Sequence, residues 1–473
     1  MAEETTPPLL YSRLSGLAKL LLFGGFAIFF LCIRIPEFTA QWDGQDGNGQ
    51  LSAMLMGLSS ANEMIFSRID GQEHHIVGFA HPLPPYLLIW LIGRVVRLVV
   101  PLATLHGQTL IFALKATVTV LQLSIFLALL FLALRYARTL AAVAWIWVMA
   151  ATPVALYGSN EVQPDSSTGL LFIALFFLAA VIAQSDGTGR AARMLWLIAG
   201  GFAAGLGKNE WTFCLAAALI FTALAHPLIN FILSRRMKIE AKDPIDAVLV
   251  LLAASIGLVA GNVANYLVNP PDYLAGWELL RNMIFPASIL SGDTHTWWGY
   301  FIEKLPYIFF HFVVDTAILI QFLRRPQIYS PILLLAFAFA NTLFFSYVIS
   351  SWGSFPRYFA PAFIGLGICF LIVLMRLPAR DGRNWTVAAT IMLVALQSLY
   401  YQWTTPYWQL WRGNTDIPVW IAKYESDPGR CVLVVDYSLV LDRPNINFVH
   451  APYGGDAVAR YLASIGRSAC PHW

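Results

Sequence analysis

Apolar runs long enough for a helical membrane crossing recur along the whole chain, at about 17–36, 108–134, 138–157, 166–184, 192–207, 211–233, 246–268, 300–322, 331–350, 358–377 and 385–402. Crossing the hydrocarbon core takes roughly 20 residues of helix. Inside that core every backbone amide needs a partner, so the runs are either helices or strands of a closed barrel. Barrel strands alternate apolar and polar side chains, and these runs do not alternate. Of the 473 residues 58% are hydrophobic and 12% are charged, against about 25% charged in a soluble domain. A soluble globule and a disordered chain are both excluded on that ground. The expectation is an all-α polytopic membrane protein with about eleven spans.

Topology follows from where Lys and Arg fall in the short loops. With the N-terminus inside, Arg135 and Arg138, Arg190 and Arg193, Arg235, Arg236 and Lys238, Arg324 and Arg325, and Arg376, Arg380 and Arg383 all come to lie in the cytoplasm. That holds only if segment 81–101 does not cross. Its clean apolar stretch, Tyr86 to Gly93, is short and is followed by Arg94 and Arg97. Segment 81–101 therefore reads as an interfacial or re-entrant helix, with apolar residues toward acyl chains and its two arginines toward headgroups. The polar N-terminus before the first run, with no small-residue cleavage site after that run, reads as belonging to a retained helix.

This parity puts the first loop (about 37–107), Asn160 to Asp165, Lys208 to Glu210, residues 269–299, Ser351 to Arg357 and the tail outside. The inner loops are short and basic, while the outer ones are long and carry acids, aromatics and histidines, so chemistry is expected outside. Two parts are expected: a transmembrane domain, 1–403, and a small extracytoplasmic domain, 404–473. In the latter, Cys431 to Asp436 reads as a strand and Asp456 to Ile465 as a short helix, giving a small α/β unit. An oxidising compartment would allow a Cys431–Cys470 disulfide; two free thiols are the alternative. None of the 5 cysteines forms a CxxC pair, so metal–thiolate chemistry is not expected, and no feature points to nucleic acid.

Asp43 and Asp46 follow the first run in the sequence Gln-Trp-Asp-Gly-Gln-Asp-Gly-Asn-Gly-Gln. A carboxylate there, at the membrane surface, is placed to act as a general base on an extracytoplasmic substrate. The same residues also suit a turn and a helix cap. His74, His75, His81 and His295, with Glu73 and Asp293, are candidate ligands of a divalent metal, but no HxxxH or HxH spacing ties them together. Trp277, Arg281, His295, Trp297 and Trp298 form an aromatic and basic set able to stack on sugars or hold phosphate, or to line the membrane interface.

The order of first helix, Asp-bearing loop, amphipathic helix and His81-Pro82-Leu83-Pro84-Pro85-Tyr86 resembles the GT-C glycosyltransferases, in particular protein O-mannosyltransferases and bacterial lipid A aminoarabinose transferases. Three later segments agree: Asn160-Glu161-Val162-Gln163-Pro164-Asp165, Gly205-Leu206-Gly207-Lys208, and Pro356-Arg357-Tyr358-Phe359-Ala360-Pro361. The first acidic site departs from the group's Asp-Glu or Asp-Asp, and one residue is inserted in the His-Pro-Pro segment.

The resemblance implies a GT-C-like fold and a polyprenyl-phosphate sugar donor. The acceptor would be a lipid, polysaccharide or protein hydroxyl or phosphate, and the active site would face the periplasm of a bacterial inner membrane. On that reading Asp46 is the general base, with Asp43 its alternative, and Asp165 orients the acceptor, pairs with a cation or only caps its helix. Lys208 and Arg357 hold the departing phosphate, Arg by a two-pronged hydrogen bond and Lys as a point charge. Tyr358, His81, Glu161, Arg281 and His295 complete the binding set. No cofactor is required by these residues, with a divalent metal left open. The competing class is a transporter or flippase of a lipid-linked saccharide, for which Lys115, His311 and Asp315 inside apolar runs are the signal.

Overall fold

The computed structural model describes residues 10–34, 54, 57–58, 67–69, 72–74, 83–99, 107–152, 155, 169–185, 187–237, 244–268, 270–284, 294–349, 359–378, 384–404, 431–433 and 447–449. After a single turn at Leu10–Arg13, the longer described helices are α1 (Gly16–Cys32), α2 (Leu83–Val99), α3 (Gly107–Tyr136), α4 (Ala141–Ala150), α5 (Gly169–Ala183), α6 (Arg190–Leu206) and α7 (Asn209–Met237), followed by α8 (Pro244–Val268), α9 (Pro270–Ile284), α10 (Thr294–Arg324), α11 (Pro331–Ile349), α12 (Ala360–Met375) and α13 (Trp385–Thr404). Every apolar run has its helix. By length and composition Phe112–Tyr136, Asn209–Arg235 and Pro244–Val268 are able to cross a membrane, and the other apolar helices are shorter.

Local chemistry sets several ends. Ser15 caps α1, its hydroxyl accepting from the amide of Ala18 at 3.2 Å. Ser330 does the same for α11, accepting from Leu333 at 3.1 Å; both satisfy amides that lack a helical partner. Within the run expected over 138–157, the described helix α4 covers the 10 residues Ala141–Ala150, roughly 15 Å of rise. Thr152 precedes Pro153 in the sequence, and the residue before proline is driven out of the helical region.

Helix α12 is the centre of the bundle. Every residue from Ala360 to Met375 is buried, as expected of a helix apolar on all sides. It packs against α11, α5, α10 and α4. The indole of Trp145 donates to the Gly367 carbonyl at 2.8 Å, and the side chain of Met149 lies where a Cβ on Gly367 would point. At one end, the Arg376 guanidinium donates to the carbonyls of Ile328 at 2.9 Å and Gln184 at 3.3 Å, tying three connections together. All three belong to the basic, inner side of the expected topology.

Helices α6 and α8 cross at close range. Gly201 and Gly205 of α6 face Gly257 and Gly261 of α8, and a Cβ added at any of the four would run into the backbone of the other helix. Small residues spaced four apart are what let two helix backbones approach this closely. A second such approach lies between α1 and α3 in the chain, where Gly57 meets the backbone of Trp90 and Gly93 in α2, with Met54 and Leu58 buried beside it. Helix α2 presents Leu91, Val95 and Leu98 outward, and the Arg94 guanidinium lies 5.1 Å over the ring of Trp90.

Among the described residues four short strands accompany the helices. β1 (Ser67–Ile69) pairs antiparallel with β2 (Gln72–His74) in the register Ser67↔His74, Arg68↔Glu73 and Ile69↔Gln72. The intervening Asp70-Gly71 is a sequence that favours a two-residue hairpin turn. β3 (Cys431–Leu433) runs parallel to β4 (Asn447–Val449), so the strand expected at Cys431 is present over three residues. The helix expected at 456–465 and the Cys431–Cys470 pairing lie outside the described residues.

Candidate functional site

Lys208 is the candidate substrate-binding residue that the described fold positions in most detail. It sits in the turn between α6 and α7 and is only 4% exposed. Gly205 permits the approach to α8, and Gly207 faces the Trp211 ring, which an added Cβ would strike. The Lys208 carbonyl accepts from the amides of Trp211 at 3.0 Å and Thr212 at 3.2 Å, closing the first turn of α7. Its ammonium lies 4.0 Å from a carboxylate oxygen of Glu210. Lys208 and Glu210 form a largely buried ion pair in which the carboxylate offsets the ammonium's charge, so an anion would bind there as a further hydrogen-bonded member of the pair.

Arg34, two residues after α1, is a second buried cation, 0% exposed. Its guanidinium donates to the carbonyls of Phe30 at 3.3 Å, Ala150 at 3.4 Å and Ala155 at 3.4 Å. It also lies 3.5 Å from the Phe30 ring centroid. These bonds join the end of α1 to the stretch after α4. The loop of Asp43 and Asp46 leaves from the first point, and the loop of Glu161 and Asp165 leaves from the second. Sequence reasoning passed over Arg34, although an arginine directly after an apolar run is a recognisable signal.

Asp43, Asp46, His81, Glu161, Asp165, Arg357 and Tyr358 lie outside the described residues, and His295 is described only as part of the backbone of α10. Arg281 is exposed in the last turn of α9. On the same helix Tyr273 meets Tyr266 of α8 edge to face at 5.8 Å and Trp277 at 6.2 Å. Phe359, directly after Tyr358, is buried and packs on Phe344 at 5.8 Å. Among the described residues no three His, Cys, Asp or Glu side chains gather in a way that would hold a metal ion; of the histidine and acid set expected for that role, His75, His81 and Asp293 lie outside them, and Glu73, His74 and His295 are described only as backbone.

A polar cluster also lies within the helices. His311 and Asp315 of α10 meet Asn341 of α11, with His311 Nε2 at 3.2 Å from Asn341 Oδ1 and 3.3 Å from Asp315 Oδ2. The Asn341 amide donates to Asp315 Oδ1 at 3.2 Å and to the Phe337 carbonyl at 3.1 Å. The His311 ring stacks on Phe344 at 3.7 Å. Lys115, Thr119 and Gln122 are buried on α3 at a spacing that puts them on one helix face.

No protein-family model matches this chain, and no curated protein sequence matches it. Among solved structures the chain is similar to ArnT from Cupriavidus metallidurans bound to undecaprenyl phosphate, with a TM-score of 0.54 at 14% identity over 96% of this chain and 90% of the other. The apo state of the same protein gives a TM-score of 0.52 at 15% identity, over 96% of this chain and 89% of the other. At these identities the likeness is one of fold. The chain shares the fold of that protein along nearly its whole length.

Proposed function

We propose that the chain is an integral membrane glycosyltransferase that moves a sugar from a polyprenyl-phosphate donor to a hydroxyl or phosphate acceptor on the extracytoplasmic side. The observation that carries this reading is Lys208, a buried ammonium fixed in a glycine-bearing turn, on a fold shared with a protein whose structure holds undecaprenyl phosphate. Such a donor leaves as a lipid phosphate, and a pre-placed cation stabilises the charge that develops on it. Lys208 supplies that charge, and Arg357 is proposed to share it through a two-pronged hydrogen bond. Asp46, or Asp43 in its place, deprotonates the acceptor, with Asp165 and Glu161 orienting it. The Arg34 bonds support this division of roles, because they tie together the starting points of both acidic loops.

The test is transfer of radiolabelled sugar from polyprenyl-phosphate donors by membranes holding the wild-type chain, Asp46→Asn, Asp43→Asn or Lys208→Met, with and without EDTA. The expected result is loss of turnover in Asp46→Asn with lipid binding retained, and weakened lipid binding in Lys208→Met. EDTA sensitivity would assign the outer histidines and acids to a metal.

A second reading, transport of a lipid-linked saccharide, is favoured by the His311, Asp315 and Asn341 cluster, since ionisable residues inside helices often mark a transport path. Saccharide movement across sealed vesicles that is lost in Asp315→Asn, with no transfer from any donor, would establish that reading instead.

A further inference from the structure

The turn that carries Lys208 is gripped from outside on both sides. Three residues before Lys208, the Gly205 carbonyl accepts from the Asn265 amide of α8 at 2.8 Å. Four residues after it, the Thr212 hydroxyl accepts from the Asn262 amide of the same helix at 3.2 Å. The Asn262 amide also donates to the Leu258 carbonyl at 2.9 Å, which fixes it along its own helix. Its oxygen accepts in turn from the Tyr273 hydroxyl of α9 at 3.0 Å. These bonds form two arms from α8, one of them braced by α9, and Lys208 lies between their ends.

The Asn265 amide group is buried, and among the described residues its oxygen has no hydrogen-bond partner. A leucine of similar size would remove that unpaired oxygen. What a leucine cannot do is donate to Gly205. The helix contact does not need that donation, because the four glycines already bring α6 and α8 together.

We infer that Asn262, Asn265 and Tyr273 are positioning residues for Lys208, which fix the turn so that its ammonium is held where the lipid phosphate binds. This rests on the reading of Lys208 as a phosphate-binding residue. It adds that these three residues serve the site without touching the ligand, Asn265 and Asn262 by hydrogen bonds to either side of the turn and Tyr273 by its bond to Asn262. A lysine on a long, rotatable side chain acts as a point charge, so its worth to an anion depends on how well its backbone is held.

The test is binding of undecaprenyl phosphate to the purified full chain in detergent, for wild type, Tyr273→Phe, Asn262→Leu, Asn265→Leu and Lys208→Met, and for each of the first three combined with Lys208→Met. Tyr273→Phe removes a single hydroxyl and carries the test if either asparagine variant fails to fold. Tyr266→Phe, on the ring next to Tyr273, is the control and is expected to bind as wild type does.

Each positioning variant is expected to weaken binding about tenfold, the factor that corresponds to about 1.4 kcal/mol, near the worth of one hydrogen bond. In the Lys208→Met background the same substitutions are expected to have no further effect, because they act through the lysine. Double variants that lose the product of the two single factors would overturn the inference and leave the three residues as general supports of the fold. If Lys208→Met binds the lipid as wild type does, the phosphate role of Lys208 fails, and the positioning role fails with it.

Discussion

Replacing Gly205 with alanine tests whether the α6–α8 contact is as close as the backbone positions require. A Cβ at Gly205 would stand 2.6 Å from the Leu258 carbonyl oxygen and 3.1 Å from the Gly261 Cα. That is about 0.9 Å inside the roughly 3.5 Å at which such atoms rest. Both neighbours are backbone, so relief comes only from separating the helices. Overpacking of this kind costs about 1–3 kcal/mol, and the helix preference of alanine over glycine returns about 1 kcal/mol. Gly24 in α1 is the matched control, because a Cβ there meets nothing within 4 Å. The helix preference is common to both sites, so the difference between the two variants isolates the packing cost at about 1–3 kcal/mol. The assay is reversible unfolding of the purified proteins in mixed micelles titrated with SDS. Gly205→Ala is expected to unfold earlier than Gly24→Ala by that margin, and to bind undecaprenyl phosphate less well because the turn of Lys208 shifts with it. Equal stability of the two variants, to within about 0.5 kcal/mol, would refute the close crossing and any account of the Lys208 turn built on it.

Other substitutions probe separate parts of the molecule. Arg34→Met leaves the carbonyls of Ala150 and Ala155 without their donor; the expected cost is about 1–3 kcal/mol in the same unfolding assay, with transfer activity lost as the acidic loops lose their tie. Asn341→Leu removes two bonds between α10 and α11. Bonds between membrane helices average about 0.6 kcal/mol, so a loss of about 1 kcal/mol is expected, with transfer retained if the cluster is structural. Tyr329, between α10 and α11, is buried, and burial raises its hydroxyl above the ordinary tyrosine value. Because the folded form then favours the neutral phenol, this group's contribution is complete below the unfolded value of about 10 and declines as pH rises above it. Ultraviolet titration should show a tyrosine that stays un-ionised above pH 10 in the wild type and is absent from Tyr329→Phe.

The helical runs were legible because they answer to a single demand, that hydrocarbon leaves no backbone amide unpaired. Their ends were less legible. The run at 138–157 is continuously apolar, yet its helix stops at Ala150, since the conformational limit set by Pro153 does not register in hydropathy. Lys208 could be singled out because Gly205-Leu206-Gly207-Lys208 resembles the Gly-rich, Lys-bearing turn of the GT-C group. The arms that hold its turn could not, because Asn262 and Asn265 are polar residues inside a run, and such residues look alike whether they line a path, join helices or steady a neighbouring turn. Their roles depend on which carbonyl or hydroxyl faces them, here Gly205 and Thr212, at sequence separations of 60 and 50 residues. Arg34 belongs with them: its neighbours in sequence mark it as an arginine at a membrane edge, whereas its bond to Ala155 spans 121 residues. The difference between the two kinds of signal is physical. A solvent such as the bilayer acts on every residue of a segment alike and so leaves a period or a run, whereas a hydrogen bond between helices acts on one pair and leaves no pattern along the chain. The pairings that meet at the Lys208 turn are of this second kind, and the lipid-binding comparison of single and double variants is the direct way to read what they do.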